Sequence, residues 1–557
     1  MTELLVVIVS GLLVIAAATV FGPRLGVAAP LVLVAIGVAA SFLPAFGSVE
    51  IEPEWILEGV LPPLLYSSAV SMPTMNFRRE FGAISGLSVV LVVASSLVLG
   101  LFFALVIPGI GFAWGVALGA IVSPTDAVAT SIIKQTSVSK RVVAMLDGES
   151  LLNDATALVI LRTAIVATAA SFSFWGALGT FAYSVVVAVL VGLAVGWLNL
   201  VVRKRVTDAT VNTVISFTVP FVAAVPAEAL GASGLVAAVV AGLVTGIRAP
   251  RDLSPQNRLS DSQNWRTVEL VLEGAVFLTM GVQLKEVVEN VERDHAGVGA
   301  AVLVALGALA LTVVVRAVYV AFLLRSLRER AARTTRMQPR LLEMQEKMAT
   351  PEGQQETLER MNARGPRRRT LRDLDRFAVR ITRGLADVDY FLRAPLGWRE
   401  GTAVVWAGMR GAVTVAAAQT LPDDTPQRSV LVLVAYTVAA LSLLVQGGTI
   451  GPLLRRLAPP VDEAAVAERA DAERTRLFEI LRSSSADVEE PEVHERQPRP
   501  EQFEARKRYR LEVIAAQRAA LLDARDNGTF DADLLEDALS NLDADEIAID
   551  LRGRLAG

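Results

Sequence analysis

Long apolar stretches alternate with short polar links along most of this chain. From residue 4 to 324, and again from 398 to 454, the apolar stretches are about 17 to 29 residues long, enough for a helix to span a bilayer core. The pattern predicts an all-α polytopic membrane protein with about thirteen transmembrane helices. We place them at residues 4–20, 27–44, 55–72, 82–107, 112–133, 142–170, 175–201, 209–226, 233–247, 266–284, 297–324, 398–421 and 428–454.

The polar remainder forms two further regions. We expect residues 1–325 to hold the first eleven spans, 326–396 a basic cytoplasmic helical insert, 397–456 the last two spans and 457–557 a cytoplasmic tail. Within the tail, the acidic, proline-rich stretch 483–500 predicts disorder. A helix is expected from about Phe503 to Asp526, with Asn527 and Gly528 as its C-terminal cap.

The links between spans differ in their charge. Links that follow odd-numbered spans are basic, as at Arg78 with Arg79 and at 203–205, whereas 48–54 and 227–232 hold no Lys or Arg. Because cytoplasmic loops are enriched in Lys and Arg, this places the N-terminus outside and the C-terminus in the cytoplasm. The predicted location is the inner (plasma) membrane, with multiple passes.

Composition agrees with a membrane protein and removes several kinds of chemistry. The 557 residues are 53% hydrophobic and 20% charged, with a mean hydropathy of +0.48. The formal net charge of −4 gives no reason to expect a nucleic-acid partner. The chain has no cysteine, and its two histidines, His295 and His494, are far apart, so neither a zinc site nor any cofactor is expected.

Polar and charged residues cluster in three of the predicted spans. Each charged group placed near the bilayer centre costs about 2.5 to 3.5 kcal/mol on insertion scales, so a functional reason is expected. Proline in the fifth span and paired glycines in the twelfth also predict breaks in those helices. The clusters are Ser123, Pro124, Thr125 and Asp126 in the fifth span, Glu149, Ser150, Asn153 and Asp154 in the sixth, and Gly408, Arg410 and Gly411 in the twelfth.

These groups suit the binding of a small cation. Na⁺ prefers oxygen ligands, and a carboxylate that also binds a proton can hold either ion in turn. We therefore predict an ion site around Asp154. In the alternative interpretation, Asp154, Glu149 and Arg410 only tie helices together as buried ion pairs.

Several short motifs carry a family resemblance. Residues 61–64, 123–127, 148–154, 233–242 and 408–412 resemble, in order, five motif helices of the monovalent cation:proton antiporter family, specifically its bacterial sodium/proton exchangers. Glu273, Phe277 and Gly281 are similar to a further patterned span. The resemblance implies inverted repeats, two crossing broken helices and a homodimer.

The resemblance also implies roles for individual residues. Asp154 would bind Na⁺ or a proton with help from Asp126, Thr125 and Ser150, and Asn153 would hold the shape of the site. Glu149 would pair with Arg410, with Arg316 in the eleventh span as the alternative partner.

The predicted function is secondary active antiport of Na⁺ (or Li⁺) against H⁺ across the plasma membrane, rather than enzymatic catalysis. One alternating carboxylate, with the neutral Asn153 beside it, predicts electroneutral exchange that serves pH and sodium homeostasis. The partners are the cation, the proton and the lipid bilayer. The alternatives are a K⁺/H⁺ antiporter, an intramembrane aspartyl protease and a pH sensor that transports nothing.

Overall fold

The structure is a computed structural model that describes residues 2–22, 24, 27–43, 52–134, 136, 138–169, 174–294, 297–363, 370–457, 463–486, 488–491 and 500–554. Every regular element in these residues is a helix, so the all-α prediction is confirmed. Eight of the described helices are long and apolar enough to cross a membrane, and shorter apolar helices lie at Leu5–Phe21, Ala29–Ala40 and Gly111–Val122. The total of thirteen spans remains a prediction.

The helices follow the predicted apolar stretches closely. Three π-helical segments, Trp55–Val60, Gly86–Leu91 and Leu443–Gly447, lie between or before α-helices. The α-helices are α1 (Thr2–Phe21), α2 (Ala29–Ala40), α3 (Leu61–Ser71), α4 (Thr74–Ser85), α5 (Val92–Val106), α6 (Gly111–Val122), α7 (Val128–Ile133), α8 (Lys140–Ala169), α9 (Phe174–Arg203), α10 (Ala209–Ala229), α11 (Gly234–Asp252), α12 (Pro255–Arg293), α13 (Val298–Met348), α14 (Pro351–Ala363), α15 (Leu371–Arg393), α16 (Trp398–Trp406), α17 (Ala412–Gln419), α18 (Arg428–Ser442), α19 (Gly448–Leu457), α20 (Glu463–Ala486), α21 (Pro500–Asn527) and α22 (Ala532–Arg554).

The chain divides into two compact units. The membrane unit comprises residues 1–253, 257–323 and 397–458. The second unit comprises residues 254–256, 324–396 and 459–557, and therefore contains both the basic insert and the tail.

The second unit is a set of helices in which α15 has a clear apolar face. Helix α15 buries Leu374, Ile381 and Val388, which are spaced seven residues apart on one face, and it packs on α14 and α21. Helix α21 ends at Asn527 and is followed by Gly528 at φ +72°, so the predicted tail helix and its cap are confirmed. The predicted disorder at 483–500 is wrong for its first four residues, because α20 continues to Ala486; residues 487 and 492–499 lie outside the described part.

Two spans of the membrane unit are interrupted, as predicted. The fifth is divided into α6 and α7 on either side of residues 123–127, and the twelfth into α16 and α17 on either side of 407–411. The two interruptions meet, because the Asp126 amide donates a hydrogen bond to the Met409 carbonyl at 2.8 Å. Backbone groups that a helix would have paired are therefore available at one place inside the membrane unit.

Small residues bring the surrounding helices close together. A Cβ added at Gly242 of α11 would lie 2.7 Å from the Tyr66 carbonyl of α3, and one at Gly246 would lie 2.5 Å from that of Val70. Glycine is needed at both positions for this backbone approach. The contact holds α3 against α11, so α3 presents Leu61, Leu64 and Ser68 to the cavity described next.

Candidate ion-binding site

A cavity of about 110 Å³ lies beside the crossing of the two interrupted helices. Its walls come from α3, the 123–127 interruption, α8, α12 and the start of α17. The polar residues that line it are Ser68, Thr125, Asp126, Ser150, Asp154, Glu269, Glu273 and Thr414. All four predicted ion-binding residues thus line one cavity.

Asp154 lines the cavity from the middle of α8. It is 9% exposed, and its carboxylate accepts no hydrogen bond from the described residues. A buried carboxylate without a donor is costly to keep ionised, and a bound proton or cation would satisfy it. Asp154 is therefore ready to bind one of these ions.

Asp126 is fixed by backbone contacts. Its Oδ1 accepts a hydrogen bond from the Val128 amide at 3.0 Å and so satisfies the first turn of α7. A Cβ at Gly411 would lie 1.4 Å from Asp126 Oδ2. Only glycine at position 411 leaves room for the carboxylate where it is.

Asn153 holds the interruption that contains Thr125. Its Nδ2 donates to the Thr125 carbonyl at 2.8 Å and to Thr125 Oγ1 at 2.9 Å. Thr125 Oγ1 in turn donates to Glu149 Oε1 at 3.0 Å. Ser150 Oγ donates within α8 to the Asp147 carbonyl at 3.0 Å, which leaves its oxygen free to act as an acceptor in the cavity.

Glu149 pairs with Arg316, not with Arg410 as expected. Arg316 Nη1 lies 2.5 Å from Glu149 Oε1, and Nη2 lies 2.8 Å from Oε2. Both side chains are 2% exposed, so this is a fully buried bidentate pair between α8 and α13. Arg316 Nε also donates to the Val404 carbonyl of α16 at 2.9 Å, which ties in a third helix.

Arg410 binds backbone carbonyls at the ends of the interrupted helices. Its Nε donates to the Val122 carbonyl at 2.8 Å, Nη2 to that of Ser123 at 3.3 Å and Nη1 to that of Gly408. These carbonyls lie at the C-terminal ends of α6 and α16, where helices leave acceptors unpaired and carry partial negative charge. The Arg410 guanidinium therefore compensates two helix ends at once, which explains why it needs no carboxylate partner.

Two further carboxylates belong to the cavity wall. Glu269 and Glu273 stand one turn apart on α12 and both line the cavity. From the sequence, Glu273 was expected in a patterned span but was not assigned to the site, and Glu269 was not predicted at all. Their i, i+4 spacing in an otherwise apolar stretch was the available signal.

The arrangement suits a weakly held monovalent ion. Within the described ranges, no three His, Asp or Glu side chains are close enough together to hold a metal ion. A cation at Asp154 would instead use the carboxylates of Asp154 and Asp126 together with hydroxyl, carbonyl and water oxygens, the type of ligand that Na⁺ prefers. This cation would be a substrate of the protein.

Comparison with known proteins agrees with this geometry. The family model for the transmembrane part of sodium/hydrogen exchangers matches residues 9–348 and 377–456. A Mycobacterium bovis protein named as an uncharacterized Na⁺/H⁺ exchanger is 26% identical over 583 aligned positions, which cover 98% of this chain and 96% of that protein. A Bacillus subtilis protein named as a sodium, potassium, lithium and rubidium/H⁺ antiporter is 30% identical over 48% of this chain and 41% of its own length.

A solved structure shares the fold. The sodium proton antiporter MjNhaP1 from Methanocaldococcus jannaschii superposes with a TM-score of 0.54 at 15% identity, over 82% of this chain and 99% of that one. The family model also spans α8 and both interrupted helices, which together build the cavity. The chain therefore belongs to the sodium/hydrogen exchanger family, whose members are secondary transporters rather than enzymes.

Proposed function

We propose that this chain exchanges Na⁺ for H⁺ and that Asp154 is the carboxylate that binds the two ions in turn. The proposal rests on one observation: Asp154 lines the cavity, and its carboxylate is buried without a hydrogen-bond donor from the described residues. Asp126, Thr125 and Ser150 would supply the remaining protein oxygens. Li⁺ has the same ligand preference and would be a second substrate.

Competition at one carboxylate accounts for exchange. A proton and a Na⁺ ion cannot both occupy Asp154. The site therefore changes the side of the membrane to which it opens with one ion or the other bound. Each return trip then requires the opposite ion, and coupling needs no further chemistry. With Asp154 as the only alternating group, one positive charge moves each way and the cycle is electroneutral.

The other predicted residues would position the site. Asn153 holds Thr125, the Glu149–Arg316 pair fixes α8 against α13, and Arg410 fixes the two interruptions. Asn153 carries no ionisable group, and Glu149, Arg316 and Arg410 each have protein partners, so none of them is proposed to alternate. This division of roles is supported by the cavity, which Asp154 and Asp126 both line and where neither has an ion-pair partner among the described residues.

The setting of the transporter follows from the sequence. The basic links support an inner (plasma) membrane location with the N-terminus outside and the C-terminus in the cytoplasm. The family resemblance supports a homodimer and a role in pH and sodium homeostasis. K⁺/H⁺ exchange is the second candidate, because the Bacillus subtilis relative is named for potassium as well as sodium.

The test is ion flux through the purified protein. Proteoliposomes that contain a pH-sensitive dye would receive NaCl, LiCl, KCl or choline chloride in turn. We expect Na⁺ and Li⁺ to drive proton movement and choline to drive none, whereas a response to K⁺ alone would select the second candidate. A complete lack of flux would contradict the proposed exchange and leave the pH sensor that transports nothing.

Replacement of the proposed carboxylate tests the site. Asp154→Asn should reduce the Na⁺ response to that of empty liposomes, while yield and melting temperature stay near those of the unchanged protein. The exposed Asp423→Asn is the matched control and should keep full activity. A normal Na⁺ response from Asp154→Asn would show that the alternating group lies elsewhere.

A further inference from the structure

Glu269 and Glu273 have no assigned role in the exchange site. Both side chains are partly buried on α12, and they are separated by one helical turn. Neither has an ion-pair partner among the described residues. Two neighbouring ionised carboxylates in an apolar helix cost free energy, and bound cations would reduce that cost.

Glu273 lies where two cavities adjoin. It lines the 110 Å³ cavity that contains Asp154. It also lines a second cavity of about 800 Å³, whose walls include Thr19, Ser131, Thr136 and Arg455. The Glu273 carboxylate therefore lies at the boundary between the two cavities.

Glu269 extends the negative charge along the cavity wall. Its Oε2 accepts a hydrogen bond from Ser67 Oγ at 3.2 Å, which holds the side chain on the α3 side. The charged groups around it are Glu273 one turn away, Lys134, Asp147 and the exposed Arg266. Lys134 is already paired with Asp147 at 3.0 Å, so it does not neutralise Glu269 directly.

We propose that Glu269 and Glu273 form a second cation-binding station, from which Na⁺ or another small monovalent cation passes to Asp154. The proposal rests on the function proposed above. Asp154 lines the same cavity, is buried and has no donor among the described residues, so it would be the next ligand of a cation at the station.

The station would raise the concentration of cations beside Asp154, and it would take no part in the exchange of Na⁺ for H⁺. Two carboxylates attract cations toward Asp154. They would also replace part of the hydration shell of the ion before it reaches Asp154. Because Asp154 alone alternates between Na⁺ and H⁺, loss of the station leaves the exchange step intact. Saturating Na⁺ should therefore restore the full rate.

The kinetic test replaces each carboxylate with its neutral amide. Glu269→Gln and Glu273→Gln should each raise the Na⁺ concentration for half-maximal flux by about threefold to tenfold, which is the scale of one unit charge acting over several ångströms through water in the cavity. The maximal rate should stay within about twofold of the unchanged protein, and Glu269→Asp should restore the original half-maximal concentration. The exposed Glu292→Gln on the same helix is the control and should change neither value.

A binding measurement separates the station from the exchange site. In Asp154→Asn protein, which should carry no flux, NaCl should still raise the melting temperature more than choline chloride does, because a ligand that binds only folded protein stabilises it. Adding Glu269→Gln and Glu273→Gln should remove that difference. An unchanged half-maximal Na⁺ concentration in both single variants overturns the station, and so does a maximal rate as low as that of Asp154→Asn. Normal flux through Asp154→Asn would instead overturn the proposed exchange site.

Discussion

At the scale of single residues, burial decides which side chains depend on each other. Glu149 and Arg316 are both 2% exposed and share two hydrogen bonds, so loss of either leaves a charge in a low-dielectric interior. Asp154 differs because it has no protein partner to lose among the described residues. Removal of Glu149 should therefore affect folding, whereas removal of the Asp154 charge should affect transport.

Glu149→Ala should lower the yield of folded protein and its melting temperature. The uncompensated Arg316 costs about 3 to 5 kcal/mol of stability. The double variant Glu149→Ala with Arg316→Ala should recover part of this loss, as measured by melting of the detergent-solubilised protein. Glu149→Ala with Arg410→Ala should recover none, and a recovery there would contradict the pairing seen in the structure.

Gly411→Ala should impair exchange with little loss of helix stability. The added Cβ would overlap Asp126 Oδ2, so the carboxylate must leave its place beside the cavity. We expect a fall in Na⁺-driven flux of at least about tenfold, since a misplaced binding group weakens the geometry that binding requires. Gly451→Ala is the control, because nothing lies within 4 Å of its added Cβ. Equal activity in the two variants would show that Asp126 is dispensable.

The identity of the site residues could be read from the sequence, but one of their pairings could not. Arg316 lies in the predicted eleventh span and Arg410 in the twelfth, so the sequence offered two partners for Glu149. Which arginine faces Glu149 depends on how distant helices are arranged around the site, and no local pattern encodes that arrangement. The same reason explains why Glu269 was missed, since its place on the wall depends on how α12 rotates toward α3.

At the scale of elements, the crossing of the interrupted helices depends on one guanidinium. Arg410 reaches carbonyls from both interruptions, and its own amide donates to Ser442 Oγ of α18 at 2.8 Å. These acceptors would otherwise be buried without donors at a cost of about 1 to 3 kcal/mol each. The crossing is thus a folded feature with its own stability.

Arg410→Lys should not preserve this crossing. Lysine keeps the positive charge, but one ammonium group lacks the planar set of donors that reaches three carbonyls. We expect reduced thermal stability together with reduced flux, measured on the same preparation. Arg399→Lys, at an exposed position near the start of α16, should be neutral, and a normal melting temperature for Arg410→Lys would show that charge alone suffices.

The elements themselves were largely predictable, because bilayer thickness fixes the length of apolar stretches. The proline and glycine breaks were predictable for the same local reasons. The ends of the helices were harder to predict. Helix α12 begins at Pro255 rather than near Arg266, and α13 continues to Met348 rather than ending near Leu324. These extensions are polar, so hydropathy cannot detect them.

At the scale of the whole molecule, exchange should be electroneutral. A potential of 100 mV acts on each net transported charge with about 2.3 kcal/mol, so an electrogenic cycle would respond strongly to it. In liposomes with a fixed Na⁺ gradient, a potential set by K⁺ and valinomycin should leave proton flux unchanged. This requires that K⁺ is not a substrate, which the ion series establishes first. Proton flux that follows the potential would mean that a second group, with Asp126 the first candidate, also releases a proton.

The second unit shows what a linear reading of the chain misses. The sequence separates the insert from the tail by two predicted spans, yet α15 and α21 pack within one unit. The seven-residue spacing of apolar residues in α15 could be read from the sequence. Its packing partner α21 could not, because it lies far along the chain.

The crossing also has a consequence for how the protein is made. Arg410 lies 288 positions after Val122, whose carbonyl it binds, so a ribosome that adds about 5 to 20 residues per second needs roughly 15 to 60 seconds to supply it. During that interval the interrupted fifth span has polar backbone that lipid cannot satisfy. Until residue 410 has been made, the carbonyls at the end of α6 therefore need another hydrogen-bond donor, such as water.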